Sequence, residues 1–314
     1  MDFSGIIGHK NIIKELINAI EEGRFAHAHI LVGEDGIGKS LIARYIALKI
    51  LGKNRDTQCV DIIEWKMAKN KRSLGVDDIR KLIEEINKKP YEGENKVIIV
   101  YEAHNMTVQA QNAFLKTIEE APEGTYIILL CENLDKILDT IKSRCQIHKL
   151  RVLSDSEIMD FIDKKYTHLM DEEKKILIAF SNGVPGRIER FLKDDKFNEI
   201  RKETLQILAN SSRINKGKMI KYEKFFIENR EYWEEILNSM ISYVRDLMIY
   251  KELGIEKFII NIDKTNEIKE LSNMFSFNKL SKLVDIVDET RKRLDKNLNP
   301  SLVFDMMLLK IQEV

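Results

Sequence analysis

"AHILVGEDGIGKSLIARYIALKI", Ala28 to Ile50, decides the fold. Ala28–Gly33 is an apolar run of strand formers, and Lys39–Leu51 carries a helical pattern. Between them, "GEDGIGKS" (Gly33–Ser40) fits G-x-x-x-x-G-K-[ST] in full. A chain of this length should produce that pattern by chance on the order of 0.01 times. A surface glycine turn ahead of a helix is the bland alternative, and the flanking strand and helix weigh against it. Gly33, Gly36 and Gly38 let the backbone turn its N–H groups toward phosphates. Lys39 supplies charge for the β/γ oxygens, Ser40 a hydroxyl for Mg²⁺, and the helix N-terminus favours an anion. The expected cofactor is ATP or ADP with Mg²⁺.

Outward from this unit, short apolar runs alternate with helical patterns up to about residue 150. Val60–Trp65, Lys96–Tyr101, Thr125–Cys131 and Cys145–Leu150 join Ala28–Gly33 as predicted strands. Val76–Lys89, Val108–Glu120 and Leu134–Lys142 are the predicted helices between them. Continuous apolar strands in such an alternation imply an α/β domain with a mostly parallel sheet covered on both faces. After Leu150 the strand patterns stop. "SDSE" (Ser154–Glu157) is a capping box opening a helix. "SNGVPGR" (Ser181–Arg187) ends one helix and starts the next. Long amphipathic patterns, Arg230–Lys251 and Asn278–Asn297 among them, fill the rest. The expected division is 1–150, an α/β nucleotide-binding domain; 151–197, a small helical domain; and 198–314, a larger helical domain.

The totals narrow the class. The chain has 314 residues, 44% hydrophobic and 32% charged, the composition of a multi-domain globular protein. Lys+Arg and Asp+Glu both total 51, so no global basic field draws it onto nucleic acid. Cys59, Cys131 and Cys145 are widely spaced, which suits a reducing cytosol and argues against a disulfide framework or a zinc site. The first ten residues show no signal-peptide pattern, and no apolar run approaches membrane-spanning length, so a cytoplasmic location is expected.

"VIIVYEAHNM" (Val97–Met106) lies where a nucleotide-hydrolysing domain carries two acids at a strand tip, one for the metal and one to orient water. Glu102 takes the second place. Tyr101 takes the first, and a neutral phenol is a poor ligand for a hard cation. Nucleotide could still bind through the loop, but rapid hydrolysis would suffer. His27 and His29 have no acid or nucleophile beside them and read as packing or hydrogen-bonding residues. The aromatic series Tyr222–Trp233 reads as helix-packing core, and the lysine-rich Lys69–Arg72 as a solvated run.

Taken together, these residues resemble those of the delta-prime subunits of bacterial DNA polymerase III, clamp-loader subunits of the AAA+ class. The resemblance is carried by "GIIGHKNIIKELINAI", "HAHILVGEDGIGKS", "GVDDIRKLIEEI", "YEGENKVIIVYEAHNMTVQAQNAFLKTIEEAPEGTYIILLCENLDKIL" and "TIKSRCQ", together most of residues 5–150. "NGVPGRIERFL" is similar to the turn and helix of the family's second domain. The last hundred residues match in length and helical character alone. The resemblance implies a small lid domain at 151–197 and a helical collar for oligomerisation at 198–314. It also implies that Arg144, in Ser143-Arg144-Cys145, reaches into a neighbouring subunit's ATP site. His9 would sit near the adenine, although a plain loop histidine fits as well.

Departures from the family's pattern matter equally. Tyr101 replaces the metal acid. Glu132 and Asn133 fall near the position that senses the γ-phosphate, where an acid would repel it. Gly186 occupies the place of the second domain's sensing arginine, with Arg187 beside it. The four-cysteine zinc module of motor-type relatives is missing from Gly52–Trp65, so no zinc is expected. The resulting expectation is a clamp-loader subunit that helps ATP-driven loading of the sliding clamp onto primed DNA, acting as a stator rather than a motor. Its partners would be the motor and clamp-opening subunits, the clamp, and primed DNA through the complex, as part of a nucleotidyltransferase assembly. The competing readings are an independent P-loop ATPase, such as a helicase motor or initiator, and a small-molecule kinase. Tyr101, Glu132 and the absence of a recognisable DNA-reading motif oppose the first. The lack of an arginine-rich lid opposes the second.

Overall fold

The computed structural model describes residues 6–53, 59–68, 71, 73–211, 216–296 and 298–313. The chain forms two compact units: Met1–Thr167 with Gly183–Gly186, and His168–Asn182 with Arg187–Val314.

The first unit is built on five parallel strands: β1 (Ala28–Val32), β2 (Ile62–Trp65), β3 (Lys96–Val100), β4 (Thr125–Cys131) and β5 (Gln146–Lys149), in the order β2-β3-β4-β1-β5. The three inner strands are buried along nearly their whole length, whereas edge strand β2 is half-buried and edge strand β5 is half-buried to exposed. That contrast explains why β1, β3 and β4 are the unbroken apolar runs. Its helices are α1 (Lys10–Glu21), α2 (Lys39–Ile50), α3 (Val76–Asn87), α4 (Val108–Glu119), α5 (Asp139–Lys142) and α6 (Asp155–Lys165). Ser154 and Glu157 cap α6 reciprocally, as the Ser-x-x-Glu pattern requires.

Two departures from the sequence reading have a side-chain cause. The predicted helix Leu134–Lys142 is a 3₁₀ turn at Leu134–Lys136 followed by α5, because Ile137 and Leu138 are extended. A side chain from another element makes that break stable. Buried Gln111 of α4 accepts from the Leu138 N–H at 2.8 Å and donates to the Lys136 carbonyl at 2.9 Å. The strand expected from Val60 starts at Ile62, since the Asp61 carboxylate accepts from the backbone N–H groups of Tyr91 and Glu92 at 2.6 and 2.8 Å. At the start of β3, Lys96 is buried and its ammonium donates to the Glu85, Ile86 and Lys88 carbonyls, closing the C-terminus of α3.

The second unit is helical: α7 (Asp171–Ser181), most of α8 (Pro185–Lys193), α9 (Asp195–Ala209), α10 (Lys216–Glu228), α11 (Trp233–Leu253), α12 (Thr265–Met274), α13 (Phe277–Asp295) and α14 (Pro300–Gln312). Its core gathers apolar side chains from α9 to α14, including Tyr222, Phe225, Phe226 and Trp233, so the aromatic series is packing core. Buried Arg201 is held by Asp263 at 2.8 Å and Asn261 at 3.0 Å, with the Phe180 and Phe191 rings about it. A buried charge with two oxygen partners and aromatic faces is stable where a lone one would not be. Among the described residues, no helix is long and apolar enough to cross a membrane.

Candidate functional site

The loop Gly33–Ser40 leaves the carboxyl end of β1 and runs into α2. Its root is tied to the sheet by the Gly33 N–H, which donates to the Cys131 carbonyl at the end of β4 (3.0 Å). Gly36 and Gly38 take φ angles of 80° and 107°, conformations that disfavour any side chain. A Cβ on Gly38 would meet nothing within 4 Å, so one side of the loop is open at the N-terminus of α2. Lys39 is buried, and its ammonium donates to the Gly33 and Glu34 carbonyls of its own loop at 2.7 and 2.8 Å. Burial lowers its pKa, with the charges of Glu132 and Asp35 partly offsetting that. Ser40 follows on the first turn of α2, half-buried.

These parts fit a nucleotide's phosphates: an open glycine-rich turn, a helix N-terminus and an ammonium held among carbonyls. For Mg²⁺ they offer the Ser40 hydroxyl, and at the tip of β3 the place of the metal acid is held by Tyr101. Tyr101 is half-buried there, beside the Glu64 carboxylate, with the Lys66 ammonium 4.5 Å from its ring centroid. Burial, followed by the Glu64 charge, raises its pKa and keeps the phenol neutral. Glu64 also pairs with Arg44 at 2.8 Å and Lys66 at 2.6 Å, so Tyr101 belongs to a charged cluster on the β2 edge. Glu102 is exposed, with φ of 50°, and accepts from the Asn105 side chain at 3.3 Å.

Beside the loop stands His104, which the sequence reading missed. Its Nδ1 accepts from the Glu132 N–H at 3.4 Å. Burial, then the charges of Lys136 and Lys39, push its pKa down to about 4. It therefore presents a neutral imidazole between the tip of β3 and the end of β4. Its one sequence cue was its place three residues after Tyr101. His9 is also at the loop: its ring is buried against the Ile37 backbone, and its Nε2 has no partner among the described residues. His27 and His29 are structural, bonding the Ile118 carbonyl (2.6 Å) and the His148 ring (3.0 Å).

The turn Gly183–Gly186 closes on the loop within the same unit. The Gly186 N–H donates to the Gly36 carbonyl at 3.0 Å, and a Cβ on Gly186 would stand 2.5 Å from the Gly36 Cα. No side chain fits there, which accounts for glycine where the resemblance would place a sensing arginine. Arg187 instead directs a guanidinium N–H at the Ser181 carbonyl (3.5 Å).

Arg144 is not part of this assembly. It lies two residues before β5, whose Gln146 pairs with His29 near the start of β1, whereas the loop follows the end of β1. Arg144 thus lies at the amino edge of the sheet and the loop at the carboxyl edge, a strand length of roughly 15 Å apart. Among the described residues, no group of three or more His, Cys, Asp or Glu could hold a metal ion. Lys69, Asn70 and Arg72 lie outside the described residues, while Lys71 pairs with Asp78 at 2.6 Å.

The sheet order together with the glycine-rich loop defines a P-loop domain of the AAA+ class. The family model described as DNA polymerase III, delta subunit, matches residues 8–154, and the model for the C-terminal part of the same delta family matches 195–313. The chain belongs to the DNA polymerase III clamp-loader subunit family. It is 29% identical to the DNA polymerase III subunit gamma of Buchnera aphidicola subsp. Schizaphis graminum, over 98% of this chain and 94% of that one. It is 25% identical to the subunit delta' of Bacillus subtilis, over 96% and 95%. Other relatives are longer: the chain spans 61% of the Bacillus subtilis subunit tau, at 28% identity. A gamma subunit-related protein of Thermotoga maritima shares the fold, with a TM-score of 0.54 and 20% identity over 96% of this chain and 98% of that one. The C-terminal match extends to residues whose resemblance, in the sequence alone, was one of length and helical character.

Proposed function

We propose that the chain works in a clamp loader as a stator: it holds ATP or ADP in Gly33–Ser40, hydrolyses it slowly or not at all, and supplies Arg144 to ATP bound by a neighbouring subunit. The observation that carries this reading is the separation of Arg144 from its own phosphate loop by the length of a strand, which leaves the guanidinium out of reach of a nucleotide held there. The neutral Tyr101, turned to the β2 edge, supports the non-motor half. A guanidinium brought to another subunit's γ-phosphoryl oxygens offsets the charge that builds there and can be worth roughly 10³–10⁵ in rate at that site. The complex would use that hydrolysis to place the sliding clamp on primed DNA.

Arg144→Ala tests this reading. It should leave folding and assembly intact, slow the ATPase of the reconstituted complex and reduce clamp loading on primed DNA. Clamp loading at the wild-type rate would remove the stator assignment.

Residues 198–314 are proposed as the collar segment that joins the partner subunits. Leu302, Met306 and Leu309 form an exposed apolar stripe on α14, at helical spacing and opposite the buried Phe304 and Leu308. Leu302→Glu combined with Leu309→Glu should abolish co-elution with the partner subunits while the isolated chain stays folded. Unchanged co-elution would move the interface elsewhere.

A further inference from the structure

Glu119 closes α4, and its position is unfavourable on its own terms. A carboxylate in the last turn of a helix opposes the macrodipole. A second acid, Glu120, follows directly, and α4 has only Lys116 as a basic residue in that turn. Helix stability therefore does not account for Glu119. Its partner is Arg144, whose Nε lies 3.1 Å from the Glu119 Oε2.

The same guanidinium is held from a second side. Its Nη1 donates to the Thr140 carbonyl at 3.0 Å and reaches the Ser143 hydroxyl at 3.5 Å. Nη2 makes no hydrogen bond among the described residues. The backbone beneath is fixed as well: the Arg144 N–H donates to the carbonyl of fully buried Ile141 at 3.0 Å. Glu119, Thr140 and Ser143 thus hold two corners of the fork and leave the third uncommitted.

We infer that Glu119 is a positioning residue for Arg144: its carboxylate fixes the guanidinium so that the Nη2 edge faces outward, ready for phosphate oxygens of a neighbouring subunit's nucleotide. This rests on the proposed trans role of Arg144. An arginine side chain loses rotamer freedom on being ordered, and a carboxylate already pairing with it removes part of that loss before the interface forms. The pair is half-exposed, with side-chain exposures of 36% and 54%, so it adds little to the stability of the fold.

The test uses the full chain reconstituted with its partner subunits, comparing Arg144→Ala, Glu119→Ala, Glu119→Gln and the double Arg144→Ala/Glu119→Ala variant. Glu119→Ala is expected to lower kcat for ATP hydrolysis about three- to tenfold with KM for ATP unchanged. Glu119→Gln should fall between that and wild type. The double variant should be no slower than Arg144→Ala alone, because Glu119 acts only through that arginine. In the isolated chain, the NMR order parameter of the Arg144 Nε–H should drop on Glu119→Ala, a change that a purely structural acid would not produce. If Arg144→Ala is impaired while Glu119→Ala matches wild type, the positioning role fails and the finger stands. A rise in rate on Glu119→Ala would mean that the carboxylate sequesters the arginine, which also overturns the inference. If Arg144→Ala itself is silent, the stator reading falls and this inference with it.

Discussion

The phosphate loop and the tip of β3 sit at the same edge of the same sheet, yet they differ in kind. The backbone and Lys39 of the loop suit an anion: two glycines with positive φ, a buried ammonium among carbonyls and an open helix N-terminus. The β3 tip suits a cluster on the neighbouring strand, with Tyr101 engaged by Glu64 and Lys66 and Glu102 facing solvent. Binding and hydrolysis need different atoms, and one domain can keep the first set without the second. A phosphate loop alone does not make a motor.

The largest expected effect is on the loop side. Lys39→Ala removes the loop's buried ammonium and its bonds to the Gly33 and Glu34 carbonyls. It should weaken ATP or ADP binding by about a hundredfold, the value of one or two charge-assisted hydrogen bonds. Isothermal titration on the isolated chain measures it. Binding within twofold of wild type would mean that the loop is a structural turn.

Next in size is Gly186→Ala. Its new methyl would stand 2.5 Å from the Gly36 Cα, and backbone cannot swing aside as a flexible side chain can. A loss of about 1–3 kcal/mol in unfolding free energy is expected. Denaturant titration reads it, and an unchanged midpoint would show that the Gly183–Gly186 turn does not bear on the loop.

The smallest effect is at the β3 tip, and it sharpens the comparison most. Tyr101→Asp restores an acid in the sequence pattern, but Glu64 and Lys66 already surround that position. Hydrolysis by the isolated chain should change by less than about twofold, because a carboxylate beside another carboxylate and an ammonium is not free to serve a metal. An increase of an order of magnitude in phosphate release would place the whole deficiency in that one residue.

Legibility in the sequence follows the range of the interactions involved. The loop was readable because its chemistry is local: glycine, lysine and serine at fixed offsets between a strand and a helix. The strands were readable from their apolar runs, and the capping box of α6 from two residues three apart. What escaped depends on contacts distant in sequence. Gln111 splits the helix expected at Leu134–Lys142 from 27 residues away. Asp61 trims β2 by bonding backbone 30 and 31 residues on. His104 gains its surroundings from Glu132 and Lys39, and Glu119 its meaning from Arg144. The C-terminal helices carried little family information to the eye, because many different sequences satisfy an amphipathic helix.

Helix α4 begins just after the 3₁₀ turn that holds His104 and ends with the carboxylate that holds Arg144. Its twelve residues make a rod of about 18 Å. Gln111 rivets the first turns of that rod to the chain leaving β4, through the Lys136 carbonyl and the Leu138 N–H. Buried Ala110, Phe114 and Ile118 keep it from rolling. In mechanical terms α4 is a strut between the two edges of the sheet: one unbroken helix from Val108 to Glu119, a stiffer link than a loop of the same length would be.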